Sequence, residues 1–278
     1  FAMWSAFNMV NCQTEDGLFI ATATDILFQR SNSDPVSVYN NPSGRIVGLT
    51  FDHDESLLFW SNIDIAAKGI YRANVGDGGI LSDIQHIVSK DVDEINGLSI
   101  DWVSKHLYWT DGGKRSIELS DYNGEKRRVL SIQGLFIPRG IVIDPIEMWL
   151  YWNDQGTGGI GKCRLAGSNA QFDDDAAIEW PNQMAWVQDT GKLYFVDSKS
   201  KSLKYFKNGQ VSEVVSVDSQ VDGNNIFGLA INANTAYISV WNSGLILKVD
   251  LATRSAIVEH RGLSQANAMF SLLYWTQQ

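Results

Sequence analysis

The chain has 278 residues, 44% of them hydrophobic, with 22 Lys and Arg against 32 Asp and Glu and a formal charge of −10. An acidic balance without a basic face argues against a nucleic-acid partner and is compatible with a basic protein partner, whose encounter an acidic field speeds. Two cysteines are too few for a disulfide scaffold, and neither they nor the four histidines have metal-ligand spacing, so no metal or cofactor is expected.

In chain order, residues 1–16 carry Cys12 and no strand signal, and they are read as a segment apart from the rest. Their apolar start, FAMWSAFNMV, lacks the basic leader and small-residue cleavage site of a signal peptide. No apolar run reaches the roughly 20 residues that a membrane span needs, so this chain is expected to make no direct membrane insertion. From residue 17 a phrase begins to repeat. GLFIATATD (17–25) is a decayed first copy and GLTFDHDESLLFWSN (48–62) a clear second. The third, GLSIDWVSKHLYWTD (97–111), reads most openly. Leu98, Ile100 and Trp102 alternate with polar residues, Val103–His106 breaks the run, and Leu107–Thr110 resumes it with aromatic and β-branched residues. A third strand is expected at Arg115–Ser120. A hairpin follows at Asn123-Gly124, and a fourth strand near Lys126–Leu130.

The phrase returns as GIVIDPIEMWLYWND (140–154), QMAWVQDTGKLYFVD (183–197) and, more weakly, GLAINANTAYIS (228–239). The aromatic that opens its second half falls at Phe19, Phe59, Tyr108, Tyr151, Tyr194 and Tyr237, at intervals of 40–49 residues. Self-similarity at that period marks a closed or stacked array of small units. Four antiparallel strands in about 43 residues make one propeller blade. The expected fold is therefore all-β: six four-stranded antiparallel blades over residues 17–278. The chain starts on a second-strand equivalent and ends on an unmatched first strand, NAMFSLLYW (267–275). That last strand is expected to complete blade 1 at its inner edge and so close the ring.

Side chains alternate along a strand, so Tyr108 and Thr110 face one neighbouring blade while Trp109 and Asp111 face the other. Trp60, Tyr108, Trp109, Asp111, Tyr151, Trp152, Asp154, Tyr194 and Asp197 are thus read as structural. The acids are dispersed over three blades and cannot form one acid–base pair.

LYWTD (107–111) and LYWND (150–154), each about ten residues after Gly-aliphatic-X-aliphatic-Asp, resemble the YWTD repeats of the low-density lipoprotein receptor family. RGIVIDPIEMWLYWND (139–154), WPNQMAWVQDTGKLYFVDSK (180–199) and LSQANAMFSLLYWTQQ (263–278) extend the likeness in order. In blades 1 and 6, Ile20-Ala21-Thr22 and Ile238-Ser239-Val240 replace Trp-Thr-Asp. The resemblance implies a non-enzymatic, extracellular or lumenal six-bladed propeller. Such modules sit in endocytic receptors, in co-receptors and in the matrix protein nidogen, and adjoin cysteine-rich modules, of which Cys12 would be a remnant. Pairing of Cys12 with Cys163 stays open.

By resemblance to co-receptor propellers, Glu118, Arg139, Trp180 and Asn182 belong to a face that docks a protein ligand or a neighbouring domain, with Ile63 and Asp64 beside them. An acidic pair that some members carry at blade 2 is missing from SGRIVG (43–48). Where the lipoprotein receptor has acid-sensing histidines this chain has Glu147 and Lys201, so that switch is not expected, and His53, His86, His106 and His260 are read as ordinary surface groups. The alternatives are a nidogen-like assembly propeller and a calcium-dependent propeller hydrolase. The second would use inward Asn96, Asn182 and Asn225, but the ring positions beside them are Val47, Arg139 and Ala266, and an arginine beside calcium is unfavourable.

Overall fold

The structure, a computed structural model, describes residues 17–30, 33–223, 225–241 and 243–263, together with the backbone of 271–275. Cys12, Ala266 and the rest of 1–16, 264–270 and 276–278 lie outside the described residues.

Six four-stranded antiparallel sheets are present. From inner to outer strand, blade 2 is Ile46–Asp52, Leu57–Asn62, Gly69–Val75 and Leu81–Val88, and blade 3 is Ile95–Asp101, His106–Asp111, Ser116–Asp121 and Arg128–Val129. Blade 4 is Pro138–Asp144, Trp149–Asp154, Gly159–Arg164 and Gln171–Asp174, and blade 5 is Pro181–Val187, Lys192–Asp197, Ser202–Lys207 and Gln210–Ser216. Blade 6 is Ile226–Asn232, Thr235–Val240, Leu245–Asp250 and Ser255–His260. Blade 1 joins the two ends of the chain: Ser271–Trp275 is its inner strand, antiparallel to Gly17–Ala21, and Asp25–Arg30 and Val36–Asn40 follow outward. Each inner strand lies beside that of the next blade, and the sixth lies beside Ser271–Trp275, which in turn meets blade 2. The ring of blades is closed by this strand, which also covers the inner edge of Gly17–Ala21. The helices among the described residues are three single 3₁₀ turns.

The motif residues explain why sheets pack on sheets. Tyr108 joins Ile141, Ile143, Leu150 and Trp152 of blade 4, and its hydroxyl donates to the Leu165 carbonyl at 3.2 Å. Trp109, one residue on, packs the other way, with Phe59, Ile70 and Leu98. Trp60, Trp109 and Trp152 are all buried to 1% exposure or less. Burying a side chain of this size stabilises by roughly 1.5–3 kcal/mol.

The motif acids bind backbone rather than substrate. Asp111 accepts the N–H groups of Asp93, Glu94 and Lys114 at 2.8–3.0 Å. Asp154 accepts those of Phe136 and Ile137 at 2.7 and 2.9 Å, and Asp197 those of Glu179 and Trp180 at 3.0 and 3.1 Å. In each blade the carboxylate fixes the loop that leads into its own inner strand.

The third motif residue ties one blade to the next. Each of the five inner strands of blades 2–6 breaks register near its start, and such a bulge frees backbone groups from the ladder. Ser61 accepts the N–H of Gly48 at 2.8 Å and donates to the Ile95 carbonyl of blade 3 at 3.0 Å. Thr110 accepts from Gly97 at 2.9 Å and donates to the Arg139 carbonyl of blade 4 at 2.6 Å. Asn153 accepts from Gly140 at 2.8 Å and donates to the Asn182 carbonyl of blade 5.

The fourth strand of blade 3 is shorter than the sequence suggests, Arg128–Val129 alone. Lys126 takes a left-handed conformation, φ 54°, and Arg127 turns to pair with Glu118, so the strand starts late.

Candidate binding mouth

The starts of the inner strands and the ends of the second strands meet at one end of the ring. Strand pairing aligns three sets of residues there. Val47, Asn96, Arg139, Asn182 and Phe227 sit one residue into each inner strand; Arg45, Glu94, Ile137, Trp180 and Asn225 directly precede it; Ile63, Gly112, Gln155, Ser198 and Trp241 directly follow the second strand. Most of these line a cavity of about 250 Å³ on the ring axis, called the mouth below.

The mouth has two halves. Val47 and Phe227 are buried, and Ile63 and Trp241 pack against them, which makes an apolar wall across blades 2 and 6. The other wall is polar and comes from blades 3–5. The Arg139 guanidinium donates from Nη1 to Asn96 Oδ1 at 2.7 Å and from Nε to Gln155 Oε1 at 3.0 Å. Both partners are neutral amides, and no carboxylate stands within ion-pair distance of Arg139 among the described residues. Burial pulls its pKa below the usual arginine value, and the Glu94 carboxylate nearby pulls it back up. A partly buried guanidinium with unspent N–H groups is a strong donor to a carbonyl or a carboxylate.

Asn182 has structural work to do. In blade 5 the third motif residue is Val196, which cannot bridge to blade 6. Asn182 Nδ2, at 3.0 Å, and Ser198 Oγ, at 2.9 Å, together donate to the Ile226 carbonyl instead. Asn182 also lines the mouth. Trp180 is 42% exposed, and its backbone, not its ring, is held by Asp197.

Of the six residues that the resemblance assigns to the ligand face, Ile63, Arg139, Trp180 and Asn182 line the mouth and Glu118 and Asp64 do not. Glu118 is 1% exposed; its carboxylate pairs with Arg127 Nε at 2.7 Å and accepts from Ser116 Oγ at 3.0 Å. Its position is corrected from surface to interior, because the guanidinium of Arg127 consumes it. Asp64 closes the turn after the second strand of blade 2 by accepting from the Ala66 N–H at 2.9 Å. The sequence reading left out Glu94, Gln155, Ser198, Phe227 and Trp241, although their constant offset from each repeat was a usable signal.

Asn96 and Asn182 do stand at inner-strand starts, but the Asn96 carbonyl oxygen is taken by Arg139. No histidine lines the mouth. Among the described residues, no three His, Cys, Asp or Glu side chains are grouped as metal ligands, and no helix is long and apolar enough to cross a membrane. Cys163 is a free, buried thiol, and burial pushes its pKa up to about 12.

Residues 105–145 match the low-density lipoprotein receptor repeat, class B. The chain carries the class B repeat of the low-density lipoprotein receptor. It is similar to the vitellogenin receptor Yl of Drosophila melanogaster, 28% identical over 71% of this chain and 10% of that protein. It is also similar to low-density lipoprotein receptor-related protein 5 of Mus musculus, 34% identical over 39% of this chain and 6% of that protein. The class B propeller thus spans a tenth or less of the length of these relatives. Among solved structures, a chain of a nidogen/laminin complex superposes with a TM-score of 0.81 at 21% identity, covering 93% of this chain and 98% of that one. A virginiamycin B lyase from Staphylococcus aureus superposes at 0.63 with 14% identity, covering 93% and 87%. At such identities both likenesses concern the fold alone. Both sequence relatives are named as a receptor or a receptor-related protein.

Proposed function

We propose that the mouth docks an extended segment of a protein partner, and that the chain is the ligand-binding or assembly propeller of an extracellular protein rather than an enzyme. One observation carries this reading: a single cavity is lined by an exposed tryptophan, an apolar wall and a guanidinium that has no ion-pair partner among the described residues, with the Glu94 carboxylate acting on it only at longer range. Such a site asks for a segment with an apolar side chain close to an acidic or amide side chain. Trp180 supplies the flat anchor that dominates interface energy, and Asn182 reads a peptide amide. The overall acidity suggests a basic partner, but the mouth does not share it, since Arg45 and Arg139 outnumber Glu94 among its lining residues.

Panning a library of displayed extended peptides against the chain tests the reading. The enriched peptides are expected to combine an aliphatic residue with Asp, Glu or Asn within a few positions. Trp180→Ala is expected to weaken them about 30-fold, in line with about 2 kcal/mol for an aromatic anchor. Arg139→Gln should weaken the acidic peptides more than the Asn-containing ones. Peptides that bind both variants as well as the parent would move the site away from the mouth.

The likeness to the propeller of a nidogen/laminin complex favours a second reading, in which the partner is a matrix protein and the propeller links assemblies. A purified laminin, titrated alongside the selected peptides, separates the two: competition for the mouth supports the assembly role, and no binding leaves the receptor role.

A further inference from the structure

A second cavity lies away from the mouth, at the outer rim between blades 4 and 5, with a volume of about 180 Å³. Its floor is aromatic. Tyr151 of blade 4 and Trp186 of blade 5 stack at 5.3 Å with 13° between their planes, and Phe206 adjoins them. Lys162, opposite Tyr151 on the neighbouring strand, and Lys207, at the turn of blade 5, bring two ammonium groups. Lys207 donates to the Thr190 carbonyl at 2.8 Å, and Lys162 lies 5.1 Å from the Trp149 ring centre. Neither has a carboxylate partner among the described residues, although the chain holds 32 acids to 22 bases. Asp173 and Asn208 line the same cavity, and Asp173 has no cation partner either. The rim is open: a side chain built at Gly191 or Gly209 would meet nothing within 4 Å.

We propose that this groove binds an anionic sugar, a pyranose bearing a carboxylate or a sulfate. The apolar face of the ring lies against the rim of the Tyr151–Trp186 stack and Phe206, and the two lysines hold the anionic group. Asp173 accepts from ring hydroxyls, and Asn208 both donates and accepts. Asp173 decides between ligand classes. It opposes a bare inorganic anion, and the hydroxyls of a sugar give this exposed carboxylate donors that an aliphatic or aromatic side chain lacks. A polyhydroxylated anion satisfies the acid and the lysines together. The proposal does not rest on the mouth or on any partner docked there.

Saturation-transfer NMR and calorimetry on the full chain test it, with the methyl glycoside of glucuronic acid and N-sulfoglucosamine as probes and methyl glucoside as the neutral control. Both anionic sugars should receive saturation on their ring protons and bind saturably, and the neutral one at least tenfold more weakly. Lys162→Ala and Lys207→Ala, both at the periphery and checked by an unchanged melting temperature, should each weaken binding about fivefold or more. Lys126→Ala, a remote and 84% exposed lysine, should leave it unchanged. Trp186→Phe, which keeps a ring, should retain weakened binding. The proposal is overturned if no probe binds saturably, if methyl glucoside binds as well as the acids, if Lys126→Ala weakens binding as much as Lys162→Ala, or if sodium sulfate alone competes at the concentration of the sugars.

Discussion

At the scale of single residues, the repeat assigns different jobs to neighbouring letters. The hydroxyl of Thr110 accepts one buried N–H and donates to one carbonyl of the next blade. Thr110→Val keeps the shape and removes both bonds. Leaving buried backbone groups unsatisfied costs about 1–3 kcal/mol each, so a loss of about 2–6 kcal/mol is expected, read as a lower urea midpoint at unchanged slope. Asp197 adds an ionic part. Burial opposes its charge, yet the Glu179 N–H, the Lys204 ammonium at 2.9 Å and the Trp180 N–H outweigh burial and hold the carboxyl below the usual carboxylate range. The folded carboxyl therefore keeps its charge at a pH where the unfolded one, with a pKa of about 3.9, has begun to lose it. Its contribution is complete above that value and fades as the pH falls below it. Asp197→Asn is expected to lower stability at pH 7 by about 3 kcal/mol, because Lys204 is left buried without its partner, and to flatten the loss of stability between pH 4 and pH 2. Urea titrations of both proteins across that range check the slope.

At the scale of the strand, close approach sets the sequence. Inner strands converge on the axis, and a Cβ on Gly140 would stand 2.5 Å from the Asn182 carbonyl oxygen, a backbone atom with no room to yield. Gly140→Ala is therefore expected to destabilise by about 2 kcal/mol or more, whereas the same change at Gly209, on an open rim, should be limited by its positive φ of 74°. Comparing the two melting temperatures separates crowding from backbone strain. The strands themselves were legible because alternation and aromatic spacing act locally. So was the structural reading of the motif acids, since a carboxylate at a strand end needs donors, although most of those donors come from the loop before the inner strand, 17 or 18 residues upstream. Long-range pairing was not legible. Nothing near Glu118 in the sequence shows that Arg127 folds back to bury it, and nothing near Asn182 shows that Val196 leaves a blade 6 carbonyl for it to cap. The split of the mouth into apolar and polar walls is written in three residues per repeat. It becomes visible only when the repeats are bent into a ring and their first positions brought face to face.

At the scale of the whole molecule, closure is the dominant device. Ser271–Trp275 supplies the inner strand of a sheet that otherwise begins at residue 17. A chain ending at residue 263 would expose the Gly17–Ala21 edge and open the ring beside blade 6. It is expected to lose cooperative unfolding and to bind a hydrophobic dye that the longer chain does not, and a sharp, single transition in the shortened chain would show that closure is dispensable. Closure also places the mouth on the axis, where blades 2–6 contribute among the described residues, and leaves the grooves between blades for separate ligands. The central claim is that the motif repeats build the wheel while the ring of residues at the inner-strand starts meets the partner. Hydrogen exchange of the chain, with and without a peptide selected on it, tests this most directly. The account predicts slowed exchange concentrated at residues 45–47, 94–96, 139, 180, 182 and 225–227, the inner-strand starts of blades 2–6 around the mouth. Protection confined to the turns on the opposite face, around residues 102–105 and 145–148, would contradict it.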